Sequence, residues 1–277
     1  MSPLANISVV IPVFNSSEKM LNGVDSICSQ TLLPKEIIII DDASNDDFMA
    51  NYKKCIDKLK LYSIDLILIK NREQMGPSYC RNRGIFKASN DFIAFLDSDD
   101  IWHIDKLKLQ MKVMLSNPEV YLSGHFVMYE TRPCMVEKNK VKVELTYKKL
   151  SKLQCLVKNP LKSASTYMMR RNSNILFNVE QRYAEDYRFL LQHYFSGKQV
   201  YILNSVLSYS FKRPFGDTGL SSRIVKMELY ELSNYFFLYN NGHIGFWLLF
   251  FSCAFSVMKF FRRFCIVIGY KLKYIFL

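Results

Sequence analysis

Phe92-Ile-Ala-Phe-Leu-Asp-Ser-Asp-Asp100 is the stretch on which the fold turns. Five apolar residues break abruptly into three acids and a serine. A short apolar run bounded in this way reads as a buried strand, with the acids at its carboxyl end. Toward the N-terminus the same kind of strand recurs in Ile64 to Ile69, in Glu36-Ile-Ile-Ile-Ile-Asp41 and in Ile7-Ser-Val-Val-Ile-Pro-Val13. Between them Met20, Val24, Ile27 and Cys28 repeat at helical spacing behind Ser16-Ser17, and Phe48, Tyr52, Cys55, Ile56 and Leu59 do so again. Pro77 opens a third helix, because the first helical position needs no amide hydrogen. The alternation predicts an α/β fold with a mainly parallel sheet covered by helices.

In such sheets ligands collect at the carboxyl ends of the strands. Asp41 and Asp42 end the second strand, Asn71 to Gly76 follows the third, and Asp97, Ser98, Asp99 and Asp100 end the fourth. Three strand ends therefore direct acidic or polar groups at one crevice. Packed carboxylates repel unless a cation neutralises them. Mg2+ and Mn2+ take hard oxygen ligands, usually one or two carboxylates with substrate phosphates, which makes Asp97-Ser98-Asp99 a candidate metal site. The other use of Asp99 or Asp100 is as a helix N-cap. Asp41-Asp42 either closes an Asx turn or accepts from the N–H of a base. Arg81 either pairs with diphosphate oxygens or lies on a solvated helix face. Glu185-Asp186 opens a later helix, where acids favour the dipole or supply a general base.

The second half alternates less cleanly. Leu107 to Leu115 and Tyr183 to Phe195 read as helices, Val120 to Tyr129 and Val200 to Tyr209 as strands, and Lys138 to Lys158 as basic surface. Phe211 to Ser222, with Pro214, Gly216 and Gly219, reads as a loop, and Ile224 to Tyr239 as a helix. The apolar stretch Ile244 to Met258 falls short of the roughly 20 residues needed to cross a bilayer. Arg262 and Arg263 separate it from a second run, Phe264 to Tyr270. The tail reads as an interfacial anchor, or else as a buried pair of core helices.

The 277 residues are 49% apolar, enough for one sizeable core. The net charge of +12 suits nucleic acid, an anionic membrane or a phosphate-rich substrate. Its distribution decides among them. After Glu231 there is no acid, while Lys259, Arg262, Arg263, Lys271 and Lys273 interleave with apolar residues. That pattern points to an anionic membrane surface and not to nucleic acid. The seven cysteines form no C-x-x-C and fit a reduced, cytoplasmic setting. The start lacks a basic n-region, so no secretory leader is read there.

Val-Ile-Pro-Val-Phe-Asn at 10–15, Asp-Asp-Ala-Ser at 41–44, Gly76 with Arg81-Asn82-x-Gly84, and Phe-Leu-Asp-Ser-Asp-Asp at 95–100, with Trp102 beyond, resemble the family 2 glycosyltransferases. The resemblance implies a Rossmann-like GT-A fold, a nucleotide-sugar donor (a UDP-sugar by default) and inverting transfer. It implies that Asp41 reads the base, Asp97 lies near the ribose and Asp99 is the main ligand of Mn2+ or Mg2+. Arg81 is then near the donor phosphates, and Pro12, Phe14, Asn15, Asp42, Gly76 and Ser98 complete the donor-binding set. Asp100 and Trp102 face the acceptor. Asp186 is the base, with Glu185 as runner-up. Lys212 to Ser222 resembles the late loop of bacterial members that build lipopolysaccharide or capsule, with Arg213 as its cation, although the histidine common there is absent.

The resemblance divides the chain into a transferase domain, 1–222, and a helical basic and apolar segment, 223–277. Within the domain, 1–102 is the donor half and 103–222 the acceptor half. Neither a Q-x-x-R-W motif nor clear membrane spans are present, which favours transfer of a single sugar over polymer synthesis. The expected acceptor is a saccharide or lipid-linked saccharide at the inner face of the cytoplasmic membrane. Two enzyme classes fit less well: Phe14-Asn15-Ser-Ser after the first strand is neither the Gly-rich, Arg-containing loop of a pyrophosphorylase nor the G-x-G-x-x-G of a dehydrogenase. A non-catalytic membrane-associated module that keeps the fold is the remaining alternative.

Overall fold

The computed structural model describes residues 2–129, 143–211 and 224–275, the side chains of 224 and 266–275 excepted. Four parallel strands form one half of the sheet: β1 (Leu4–Val13), β2 (Leu33–Asp41), β3 (Asp65–Lys70) and β4 (Phe92–Phe95). The helices between them are α1 (Ser17–Cys28), α2 (Phe48–Leu59) and α3 (Pro77–Lys87). β5 (Asp100–Trp102), α4 (Lys106–Ser116), β6 (Val120–Tyr129), β7 (Tyr147–Lys149) and α5 (Lys152–Val157) follow. β8 (Met168–Arg170), α6 (Glu185–Phe195), β9 (Gln199–Ser210), α7 (Ile224–Asn240) and α8 (Phe246–Ile275) complete the chain. The strand order is β3-β2-β1-β4-β8-β6-β9-β5, with β7 on β9.

Alternation along β1 and β2 sorts two cores. Ile7, Val9, Ile11, Ile37 and Ile39 pack with α1, α2 and α4. Val10, Ile38 and Ile40 pack on the opposite face with α3, α5 and α6. Both faces are covered, so the runs 9–11 and 37–40 are apolar without alternation, as buried parallel strands are. Gly84 lets α3 lie against β1, since a Cβ there would sit 2.3 Å from Val10 Cγ1.

The predicted divisions of the chain are not divisions of the core. The sheet runs through the boundary at 102, where β5 pairs with β9. The boundary at 222 lies outside the described residues, but Tyr235, Leu238, Ile244 and Leu249 join the core cluster of α3 and α6. The two apolar runs of the tail form one helix, α8. Arg263 does not interrupt it, because its guanidinium turns inward to Glu228 at 2.6 Å. Among the described residues no helix is long and apolar enough to cross a membrane. Within the stretch read as basic surface, Leu150, Cys155 and Leu156 are buried, and 138–142 lie outside the described residues. β5 and β8, of three residues each, carry no periodicity from which to predict them.

Candidate active site

Register brings the strand ends level. Val13 lies beside Asp41 and Asp41 beside Lys70, and β4 ends where Phe95 pairs with Val10. The loops beyond are tied together by side chains. Asn15, in the left-handed region at φ 47°, accepts from the Asn45 N–H (2.8 Å), and its own N–H donates to Ser44 Oγ (3.1 Å). The hydroxyls of Ser16 and Ser98 lie 2.6 Å apart, linking the first loop to the D-S-D motif. Phe14 stands exposed at the rim, and Pro12 is half-buried behind it.

The two acids after β2 differ in use. Asp41 is buried and its Oδ1 accepts from the Ser44 N–H at 2.9 Å, so the Asx turn is made. Asp42 accepts from Asn71 Nδ2 (2.6 Å), the Met75 N–H and the Gly76 N–H (both 2.8 Å). Those bonds hold the 71–76 loop over the crevice, which makes Asp42 a support for that loop. Gly76 has φ 90°, a conformation glycine adopts without strain.

Arg81 does not lie on a solvated helix face. Its guanidinium is buried, with Nη2 2.7 Å from Asp97 Oδ1 and Nη1 3.0 Å from Glu185 Oε1, and it lies over the Phe177 ring. Burial would lower its pKa, but the two carboxylates outweigh burial and raise it. Arg81 therefore joins the acids after β4 to those opening α6, with both ends of its fork occupied by protein. Trp102 is 0% exposed and donates from Nε1 to the Ser165 carbonyl at 2.9 Å. Its ring lies beneath the site, out of reach of a saccharide, because β5 pairs with β9 and turns it inward. Asp100 is buried beside it, and Asp99 is half-buried at the crevice. Arg213 lies outside the described residues.

Asp186 carries the most distinctive electrostatics. Burial first, and then the neighbouring Glu185 charge, raise its carboxyl from the ordinary 3.8 to about 7. Its Oδ1 accepts from the Tyr187 N–H at 2.7 Å. Three further residues of the site were not singled out in the sequence. Asn159 donates to Asp186 Oδ2 (3.3 Å), and Ser163 Oγ reaches Asp97 Oδ2 (3.5 Å). Ser165 Oγ accepts from the Asp97 N–H at 2.9 Å. Only the Asn-Pro at 159–160, a turn signal, marks this loop in the sequence. It runs from the candidate base to the D-S-D motif.

Among the described residues no three acids, histidines or cysteines converge as a complete metal cage. Asp97 and Asp99 are hard oxygen donors with one Asp97 oxygen committed to Arg81. Such a pair fits Mg2+ or Mn2+ completed by phosphate and water, which is how these ions are commonly held.

The sequence profile of Glycosyl transferase family 2 matches residues 8–176. An uncharacterized glycosyltransferase of Haemophilus influenzae is 34% identical over 230 residues, 83% of this chain and 87% of that one. The Escherichia coli UDP-Glc:alpha-D-GlcNAc-diphosphoundecaprenol beta-1,3-glucosyltransferase WfgD is 31% identical over 53% of this chain and 55% of its own. Among solved structures, the mannosyltransferase PcManGT from Pyrobaculum calidifontis in complex with GDP-Man and Mn2+ superposes with a TM-score of 0.62 at 14% identity, over 91% of this chain and 73% of that one. S. aureus TarS 1-349 in complex with UDP-GlcNAc gives 0.59 at 19% identity, over 83% and 66%. At these identities the likeness of the solved structures is one of fold.

Proposed function

The chain belongs to glycosyl transferase family 2 and has the GT-A fold, and from that premise we propose that it moves a single sugar, with inversion, from a UDP-sugar to a lipid-linked saccharide in bacterial surface polysaccharide assembly. The observation that carries the reading is the bridge through Arg81: one guanidinium bonded to Asp97 and Glu185 sets the D-S-D motif and the E-D pair in one crevice. The UDP-sugar and the lipid-linked acceptor are taken from the names of WfgD and of the TarS complex.

Asp186 is the base. Glu185 is committed to Arg81, whereas the Asp186 carboxyl titrates near neutrality and keeps its proton affinity. As the acceptor oxygen bonds to the anomeric carbon, the bond from that carbon to the diphosphate breaks and the hydroxyl proton passes to an Asp186 oxygen. Asn159 and the Tyr187 N–H hold that carboxyl in place. Asp41 lies at the end of β2 within reach of a base, and Phe14 offers it an exposed ring. Mn2+ or Mg2+, held by Asp99 with Asp97, would stabilise the charge of the departing diphosphate.

Titration of UDP, GDP and dTDP with and without Mn2+ tests this reading in the wild type and Asp99→Ala. The expected result is metal-dependent binding of UDP that the substitution removes. Failure of all three to bind a folded sample would instead identify a non-catalytic module.

The same proposal places the protein on the inner face of the cytoplasmic membrane through α8. Phe246, Trp247, Phe250, Phe251, Met258 and Phe261 are exposed at helical spacing and form one apolar stripe.

A further inference from the structure

Between α5 and α8 lies an apolar groove of about 380 Å³, walled by Leu153, Leu156 and Val157 on one side and Leu248, Phe251 and Met258 on the other. It is separate from the crevice but close to it in the chain. Val157 and Asn159 are joined through Lys158, whose backbone is extended (φ −161°, ψ 160°). Two residues of extended chain span at most about 7 Å. Asn159 bonds the Asp186 carboxylate and also accepts from the Leu161 and Lys162 N–H groups, both at 3.1 Å. Lys158 and Lys162, on either side of Asn159, are both exposed.

One segment therefore presents hydrocarbon, then exposed cations, then the candidate base. An isoprenoid diphosphate carrying a saccharide has the complementary order: hydrocarbon, two phosphates, then a sugar hydroxyl. We infer that the α5–α8 groove seats the first isoprene units of the acceptor lipid, with Lys158 and Lys162 beside its diphosphate and the sugar at Asp186. The inference rests on the transferase reading above and names the substrate class of its acceptor side. Phe251 and Met258 belong both to the groove and to the exposed stripe of α8, so the rest of the chain can pass from the groove into the bilayer. Lys259 ties the two walls together, donating to the Val157 carbonyl at 2.7 Å.

Farnesyl diphosphate, farnesol and inorganic diphosphate are the probes, titrated into the full chain with saturating UDP and Mg2+ to block the donor site. Farnesyl diphosphate should bind at least tenfold more tightly than either fragment. Ala254→Trp, which fills the groove from an exposed position, should weaken it at least tenfold with UDP affinity unchanged. Leu153→Asp, on the opposite wall and off the α8 stripe, should do the same with vesicle adsorption intact. Lys158→Glu with Lys162→Glu should weaken farnesyl diphosphate and leave farnesol unaffected. Equal binding of farnesol and farnesyl diphosphate would reassign the groove to membrane acyl chains. Unchanged binding in both groove variants would overturn the site, as would displacement of the probe by self-association of the chain. Loss of UDP binding in the wild type would count against the transferase reading, whereas intact UDP binding without farnesyl diphosphate binding would count against the groove alone.

Discussion

The crevice and the α7–α8 pair both bury ions, and they balance them differently. At the crevice, among the described residues, Arg81 bonds both Asp97 and Glu185, with Asp186 close by. Between α7 and α8 two cations meet two acids: Lys259 with Glu231 at 2.7 Å and Arg263 with Glu228 at 2.6 Å. Burial would raise the Glu231 pKa, but Lys259 and Arg263 outweigh it and the value falls. Burial first, and then the neighbouring Glu185 charge, leave the Asp186 carboxyl holding a proton near neutrality, which is the condition for a base. In the α7–α8 set burial raises the Glu228 pKa while the cations lower that of Glu231, and the paired charges act as a fastener that leaves the outer face of α8 apolar.

The sharpest break of the comparison is Asp186→Asn. Removing a general base lowers kcat by about 10²–10⁴-fold, and UDP affinity should not change. Wild-type kcat/KM should rise with pH to a plateau above about 7, the value of the Asp186 carboxyl. Stability runs the other way. The folded pKa lies above the unfolded one, so between about pH 4 and 7 the native state holds more protons, and stability falls as pH rises through that window. Asp186→Asn should therefore be more stable than wild type at pH 8 and gain less at pH 5, read from urea midpoints. A pH-independent wild-type rate, or full activity in the variant, would move the base elsewhere.

Next in size is the difference between the two ion clusters. Arg81→Met removes the cation shared by Asp97 and Glu185 and should cost about 3–5 kcal/mol, the usual penalty for breaking a buried pair from one side. Lys259→Met leaves Glu231 with Arg263 at 3.6 Å, so its cost should be nearer the 1.5–3 kcal/mol of one charged hydrogen bond. Equal losses in denaturant unfolding would mean that the clusters are not different in kind.

How much of this was legible in the sequence follows from the same physics. The apolar runs of β1, β2 and β4 announce themselves because both faces of each are buried, and that of β3 because both its faces are partly covered. Asp97, Asp99 and Asp186 stand out as members of acidic clusters, but their separate roles are implied only by the resemblance to the family, since acids at helix starts also serve as caps and dipole partners. Asn159, Ser163 and Ser165 do not stand out, because their use depends on a loop whose path is set by α5 and β8, and β8 exists only through its pairing with β4 and β6. In the sequence Arg81 is open between a phosphate ligand and a solvated cation; its partner Asp97 is near in sequence, but Glu185 comes from α6, about a hundred residues on, and no local pattern reveals that bond. The tail misled through Arg262-Arg263: a double arginine reads as a break when nothing shows that Glu228 will receive one of the two.

That internal pairing sets the smallest prediction, the one most specific to the membrane face. If Lys259 and Arg263 are spent on Glu231 and Glu228, little of the tail's positive charge remains for lipid headgroups within the described side chains, where Arg262 is the exposed cation. Adsorption to anionic vesicles should then depend mainly on apolar contact. Trp247 is 70% exposed near the start of α8, and inserting such a ring contributes on the order of 1–2 kcal/mol, so Trp247→Gln should weaken partitioning about 5- to 30-fold. Raising salt from 50 to 200 mM screens only exposed charge and should weaken it less than that. Deleting everything after Asn240 is a poor substitute for this test, since it also removes the buried Ile244, Leu249 and Ser256 and so perturbs the core. A steep salt dependence with an indifferent Trp247 would mean that the basic residues beyond Phe264, and not the apolar stripe of α8, carry the contact.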